Sequence, residues 1–283
     1  MSIEIIRTIS SLRDRVKQRR GEGARIGVVP TMGALHDGHL ALVARCRTLA
    51  DVTITTLFVN PTQFAANEDL ARYPRTEAAD AALLEAAKCD ILFAPPVEQM
   101  YPAGFVTAVH LEGPAAAGLE DRFRPGHFSG VATVVAKLFQ QTAADVAVFG
   151  EKDWQQLAVV RRMARDLDMP IDIVGLPTVR EPDGLAMSSR NRYLSPDERL
   201  KAPILFQAMQ TVSASVRTGS PLEAALAKGR SSITAAGFDI DYFEARDGTS
   251  LAPVMDGARA SSIRLLLAAR LGNVRLIDNM ALE

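Results

Sequence analysis

The stretch Ile26-Gly27-Val28-Val29-Pro30-Thr31-Met32-Gly33-Ala34-Leu35-His36-Asp37-Gly38-His39 decides the architecture of this chain. Ile26 to Val29 is short, apolar and mostly β-branched, the pattern of a strand buried on both faces of a parallel sheet. The apolar spacing Leu40, Leu42, Val43, Cys46 and Leu49 that follows predicts a helix. Gly33 and Gly38 fall in the connection. Glycine lets backbone approach a ligand closely, and the first helical turn offers unpaired N–H groups and a positive dipole end. A phosphate fits such a site. His36 and His39, three apart at the helix start, would share one face and could donate to a phosphoryl oxygen as negative charge builds on it. The alternative is that one histidine caps the helix and the other lies on the surface.

Outward from this stretch, strands and helices alternate. Ile6, Ile9, Leu12 and Val16 predict an amphipathic helix from Ile3 to Gln18. Val52 to Val59 reads as the second strand and delivers Asn60-Pro61-Thr62-Gln63 at its carboxyl end. A helix is predicted from Thr76 to about Lys88, then a strand from Asp90 to Ala94 stopped by Pro95-Pro96. Val106 to Leu111 alternates as a strand would. Phe128 to Thr142 carries an apolar helical stripe, followed by strand Val146–Phe149, helix Asp153–Leu167 and strand Ile171–Val174. This βαβ spacing predicts an α/β fold, a Rossmann-like parallel sheet over residues 1–178 with its nucleotide crevice at the strand carboxyl ends. Residues 179–283 change character. Two helices, about Pro196 to Arg217 and Pro221 to Ala236, precede strand-like runs at Ile240–Ala245, Ser262–Ala269 and Val274–Ile277, a smaller C-terminal α+β domain.

Thirty-two basic against thirty-three acidic residues leave a net charge of −1, which speaks against nucleic acid or an anionic membrane as a partner. No apolar run reaches the ~20 residues of a membrane span, and no basic segment followed by an apolar core opens the chain. Cys46 and Cys89 each fall on an apolar helical face, so buried reduced thiols and a cytoplasmic location are expected.

Beyond the histidine decamer come Phe58-Val59-Asn60-Pro61-Thr62-Gln63-Phe64, Tyr73-Pro74-Arg75-Thr76, Arg124-Pro125-Gly126-His127-Phe128, Gly150-Glu151-Lys152-Asp153 and Met187-Ser188-Ser189-Arg190-Asn191. In that order and spacing these blocks resemble the pantothenate synthetase family, ligases that join pantoate to β-alanine using ATP. The resemblance runs from Met1 to about Asn279. It departs only at variable places of the first motif, Ala34 and Asp37, and in a diverged Gly118 to Phe123.

The resemblance implies a two-step course: pantoate attacks the α-phosphorus of ATP, pyrophosphate leaves, and β-alanine displaces AMP from the pantoyl adenylate. It implies that His36 and His39 contact the reacting phosphate, with His39 as proton donor. A histidine suits this because its unperturbed pKa lies near ~6.5. The resemblance assigns ATP to Met32, Gly33, Ala34, Leu35, His36, Asp37, Gly38 and His39, to Gly150, Glu151, Lys152 and Asp153, and to Val179, Met187, Ser188, Ser189 and Arg190. It assigns pantoate to Gln63 and Gln156, and β-alanine to Gln63.

Taken alone, Lys152 is a point charge suited to phosphates or departing pyrophosphate, and so a catalytic candidate beside the two histidines. Asp153 could accept from ribose or cap the helix, Ser188 could be a simple N-cap, and Gln156 beside Gln155 could be a surface amide. Arg124 and His127 read as structural rather than catalytic. Mg2+ is expected with ATP, its ligands unknown, with Asp80 a candidate contributor. A homodimer is the family's common state. Two rivals share parts of the pattern: a nucleotidyltransferase using H-x-G-H, which gives no account of Gln63 and Gln156 together, and a non-catalytic nucleotide sensor.

Overall fold

The apolar run becomes a central strand of a six-stranded, wholly parallel sheet. The computed structural model describes residues 2–64, 69–254 and 262–282, and the chain divides into two units: Met1–Glu151 with Gln155–Pro177, and Lys152–Trp154 with Thr178–Glu283. In the first unit the elements run β1 (Glu4–Ile6), α1 (Ile9–Gly21), β2 (Ile26–Thr31), α2 (Asp37–Arg47), β3 (Val52–Leu57), α3 (Glu77–Ala86), β4 (Ile91–Phe93), the single turns α4 (Val97–Met100) and α5 (Glu120–Phe123), α6 (His127–Thr142), β5 (Val146–Gly150), α7 (Trp154–Asp166) and β6 (Asp172–Leu176). The strands lie in the order β1-β4-β3-β2-β5-β6. Connections run one way from β2 and the other way from β5, so the strand order reverses between these neighbours, where open α/β sheets bind ligands at the carboxyl ends. The histidine turn leaves β2 there and the Gly150 turn leaves β5.

Ile26, Val28, Val29, Val52, Ile54, Leu92, Phe93, Ala147 and Val148 are all buried, which is why these strands read as continuous apolar runs. Gly27 sets the spacing of α2 against the sheet, since a Cβ there would come 2.4 Å from Cys46 Sγ and 2.9 Å from Ala50 Cβ.

Four local expectations are corrected. The helix expected over Ile3–Gln18 is a strand and then a helix: residues 4–6 pair in parallel with β4, and Thr8 begins α1 by accepting at Oγ1 from the Ser11 amide at 3.2 Å. The 3.6-residue stripe continued across a cap. Residues 106–111 form no strand; Val109 donates its amide to Thr133 Oγ1 at 2.9 Å, and Val106 is 92% exposed. Cys89 lies between α3 and β4 rather than on a helix, although it and Cys46 are buried free thiols. The helix expected over Pro196–Arg217 is two, α8 (Pro196–Lys201) and α9 (Ile204–Arg217), divided at Pro203, which supplies no N–H to continue the first.

In the second unit these are followed by α10 (Leu222–Ala235) and an antiparallel sheet of β7 (Asp239–Asp247), β8 (Ile263–Leu271) and β9 (Val274–Ala281), with β8 central. Met209, Val212, Ile233, Phe243, Leu265 and Leu267 pack between helices and sheet. Residues 1, 65–68, 255–261 and 283 fall outside the described set.

Candidate active site

The turn after β2 holds itself together. Gly33 and Ala34 both adopt left-handed backbone, with φ of 84° and 51°, and Asp80 on α3 accepts from the next two amides, Ala34 N at 3.0 Å and Leu35 N at 2.8 Å. Thr76 Oγ1 adds a third bond to the same carboxylate at 3.0 Å. Left-handed backbone costs alanine roughly 1–2 kcal/mol, and the two charge-assisted bonds offset it. Asp80 is buried at 1% exposure with both oxygens engaged, so it anchors the loop.

His36 is the N-cap of α2 and His39 the third residue of the helix, and they cap reciprocally. Gly38 donates its amide to His36 Nδ1 at 3.2 Å, and His36 donates its amide to His39 Nδ1 at 3.3 Å. The ring centroids are 4.1 Å apart. An Nδ1 that accepts from an amide is unprotonated, so in each neutral ring the proton sits on Nε2. Capping and phosphate donation, alternatives in the sequence, are thus compatible in one ring, since capping uses Nδ1 and a neutral ring then carries its proton on Nε2. Met32, His36, Gly38 and His39 are half-buried, Asp37 exposed, and Gly33, Ala34 and Leu35 buried.

Gln63 ends the 3₁₀ turn Pro61–Gln63 after β3. Asn60, 1% exposed, donates from Nδ2 to Gln63 Oε1 and to Gly130 O, both at 3.1 Å, and accepts at Oδ1 from Tyr101 OH at 2.8 Å. Burial pushes the Tyr101 phenol up, which keeps it a donor despite its bond to Thr62. His127 donates from Nδ1 to Gln63 O at 2.9 Å, leaving Nε2 beside Arg124 Nη1 at 3.1 Å. Gly130 makes room for the turn, for a Cβ there would meet Thr62 O at 2.4 Å. Gln63 Nε2 lies 3.0 Å from Met32 Sδ, which brings this turn and the histidine turn together.

The 3₁₀ turn Glu151–Asp153 follows β5 and leads into α7, with Glu151 and Lys152 half-buried and Asp153 exposed. Within the second unit, Asn279 Nδ2 donates to Lys152 O at 2.8 Å, and Trp154 Nε1 donates to Gly248 O at 2.9 Å. Met187 donates its amide to Val179 O at 3.0 Å. Ser188 accepts at Oγ from Arg190 N at 3.2 Å and so caps the turn Ser189–Tyr193. Lys152 lines one small cavity with Ser188, Asn191 and Asp278, so two of the sequence-assigned ATP blocks meet there. Asp153 and Gln156 are not among its lining residues. Burial pushes the Asp278 carboxyl up, while Arg180, bonded at 2.7 and 3.0 Å, pulls it back.

The glutamine pair is resolved on α7. Gln155 is buried and bonded to Glu120 N, Pro114 O and Asp121, whereas Gln156 is half-buried. Sequence reasoning gave no role to Asn60, Tyr101, Gly130 or Asn279. Asn60 lay inside a quoted motif; the other three carry no local signal, because each matters through a partner distant in the chain.

A family model described as pantoate-beta-alanine ligase matches residues 4–281. The chain is 54% identical over 277 residues to a pantothenate synthetase of Rhodopseudomonas palustris strain HaA2, covering 98% of each chain. It is 52% identical over 285 residues to that of Paramagnetospirillum magneticum, covering 100% of this chain and 99% of the other. Among solved structures, pantothenate synthetase of Thermus thermophilus is similar at a TM-score of 0.93 and 47% identity, covering 99% of each chain. A pantoate-beta-alanine ligase of Francisella tularensis, complexed with beta-gamma ATP and beta-alanine, is similar at a TM-score of 0.81 and 33% identity, covering 99% of this chain and 97% of that one.

Proposed function

The chain belongs to the pantoate–β-alanine ligase family, whose activity is the ATP-dependent condensation of pantoate with β-alanine, and on that premise we propose which of its residues do the work. The observation that carries the reading is the pair of histidines at the start of α2, each with Nδ1 on the backbone and its proton on Nε2.

Pantoate's carboxylate attacks the α-phosphorus, and charge grows on the phosphoryl oxygens as the bond to pyrophosphate breaks. His39 Nε2–H, with His36 beside it, donates to that charge, and Lys152 neutralises the departing pyrophosphate. The amine of β-alanine then adds to the acyl carbon, AMP leaves with the bonding pair, and the amine's proton passes to solvent. Met32, Gly33, Asp37, Gly38, Gly150, Glu151, Asp153, Val179, Met187, Ser188, Ser189 and Arg190 border the nucleotide, while Ala34 and Leu35 hold the loop that presents it. Gln63 and Gln156 hold pantoate, and Gln63 also serves β-alanine, its amide supplying donor and acceptor without charge. Residues 1–178 act as the ATP- and pantoate-binding domain and residues 179–283 as a smaller lid domain. Such positioning contributes on the order of 7–11 kcal/mol to lowering a barrier of this kind.

Mg2+ is proposed as ATP's companion, held by phosphate oxygens and water. Among the described residues no group of three or more His, Cys, Asp or Glu side chains is disposed to hold a metal. The reading includes a homodimer, and a cytoplasmic setting consistent with two buried free thiols.

The test is ATP–pyrophosphate exchange with β-alanine left out. Exchange that requires pantoate is expected. No exchange, and no AMP when β-alanine is added, would overturn the adenylate course.

A further inference from the structure

We infer that Asn279, in the middle of β9, is the positioning residue of Lys152. Asn279 is buried at 3% exposure, and its backbone pairs with Leu266 of the central strand β8. Its amide cannot be turned the other way. Arg264 Nε, which can only donate, lies 2.6 Å from Oδ1, and Lys152 O, which can only accept, lies 2.8 Å from Nδ2. Arg264 in turn stacks its guanidinium 3.3 Å from the centroid of the Trp154 ring, whose Nε1–H is bonded to Gly248 O. The tripeptide Lys152–Trp154 is therefore held by its first carbonyl and by its last side chain, through Asn279, Arg264 and Gly248.

A 3₁₀ turn of three residues has little internal bonding to fix the direction of its lysine. The Asn279–Arg264–Trp154 chain supplies that direction. Asn279 is uncharged, and its bond is to the backbone from which the lysine side chain departs.

The inference rests on reading Lys152 as a phosphate-binding residue, and the experiment separates the two. ATP affinity by titration calorimetry and pantoate-dependent ATP–pyrophosphate exchange are measured for the full-length enzyme, Asn279→Ala, Lys152→Ala and the double variant, with melting temperatures recorded. Asn279→Ala is expected to lower the exchange rate by up to about 10²-fold, the cost of misplacing a catalytic group by about 1 Å. In the Lys152→Ala background it is expected to change neither readout by more than about twofold, since its effect passes through the lysine. Asn279→Asp, which still accepts from Arg264 but cannot donate to Lys152 O, should share the single-variant loss. Emission of the single tryptophan, Trp154, should shift in Asn279→Ala, since it reports on the Arg264 stack. Equal losses on both backgrounds overturn the inference and leave the lysine reading standing. A Lys152→Ala enzyme with unchanged affinity and exchange overturns the lysine reading itself. If Asn279→Ala does not fold, Arg264→Lys is taken through the same cycle, where a loss that vanishes without Lys152 supports the inference and an additive loss overturns it.

Discussion

The turn after β2 and the turn after β5 leave the carboxyl ends of neighbouring strands and both lead into helices, yet they are fastened differently. The first is tied within its own stretch and to the next helix: His36 and His39 cap one another, and Asp80 takes the amides of Ala34 and Leu35. The second borrows its order from β8 and β9, through Asn279 on Lys152 O and Arg264 on Trp154. A turn held by local bonds can be read from its residues. One held from far along the chain cannot, because its cause is not in its neighbourhood.

The largest effect that would sharpen this comparison belongs to His39→Ala. Pantoate-dependent exchange is expected to fall by roughly 10²–10⁴-fold, the usual worth of a proton donor in a transition state. The lost half of the capping box should cost only about 1 kcal/mol of stability. A variant with intact ATP affinity and full turnover would break the reading of the first turn and favour a sensor. Smaller, and aimed at the anchoring itself, is Asp80→Asn, which sets an NH2 group against a backbone N–H. Leaving that donor facing a donor should lower stability by about 1–3 kcal/mol in denaturant titration, with exchange falling in step. Unchanged stability would show that the turn does not lean on α3.

The smallest effect concerns the packing beneath the first turn. Burial pushes the Cys46 thiol up to about 11, where it lies against Gly27. The native thiol therefore stays protonated between about pH 7 and 9, where a free thiol of pKa about 8.5 ionises. Labelling of the native protein should be far slower than that of the unfolded chain at every pH in that range. The sign for stability follows: the raised value adds stability below the unfolded thiol's value, and this is lost as pH rises toward 11. Fast labelling that follows thiolate fraction would mean that α2 does not sit closely on β2.

Much of the fold was legible because parallel strands buried on both faces leave apolar runs, as in Ile26–Val29 and Val146–Phe149, and helices leave stripes, as in Val131 to Phe139. The failures have physical causes. Val106 to Leu111 has a strand's alternation, but alternation does not supply a neighbouring strand to pair with. The stripe from Ile6 to Val16 ran through a Thr8 cap that only the backbone shows. The loop-anchoring role of Asp80 was not legible because a carboxylate's use depends on what approaches it, and here two amides from far along the chain do.

By itself the sequence determined the alternation of strands and helices, the two histidines at the start of α2 and the family to which the chain belongs, since these reside in residue type and spacing along a continuous stretch. Tertiary structure alone decided which of Gln155 and Gln156 is committed to structure and which distant side chains hold Gln63 and Lys152. Each of those depends on a directional hydrogen bond whose partner the fold brings in from elsewhere.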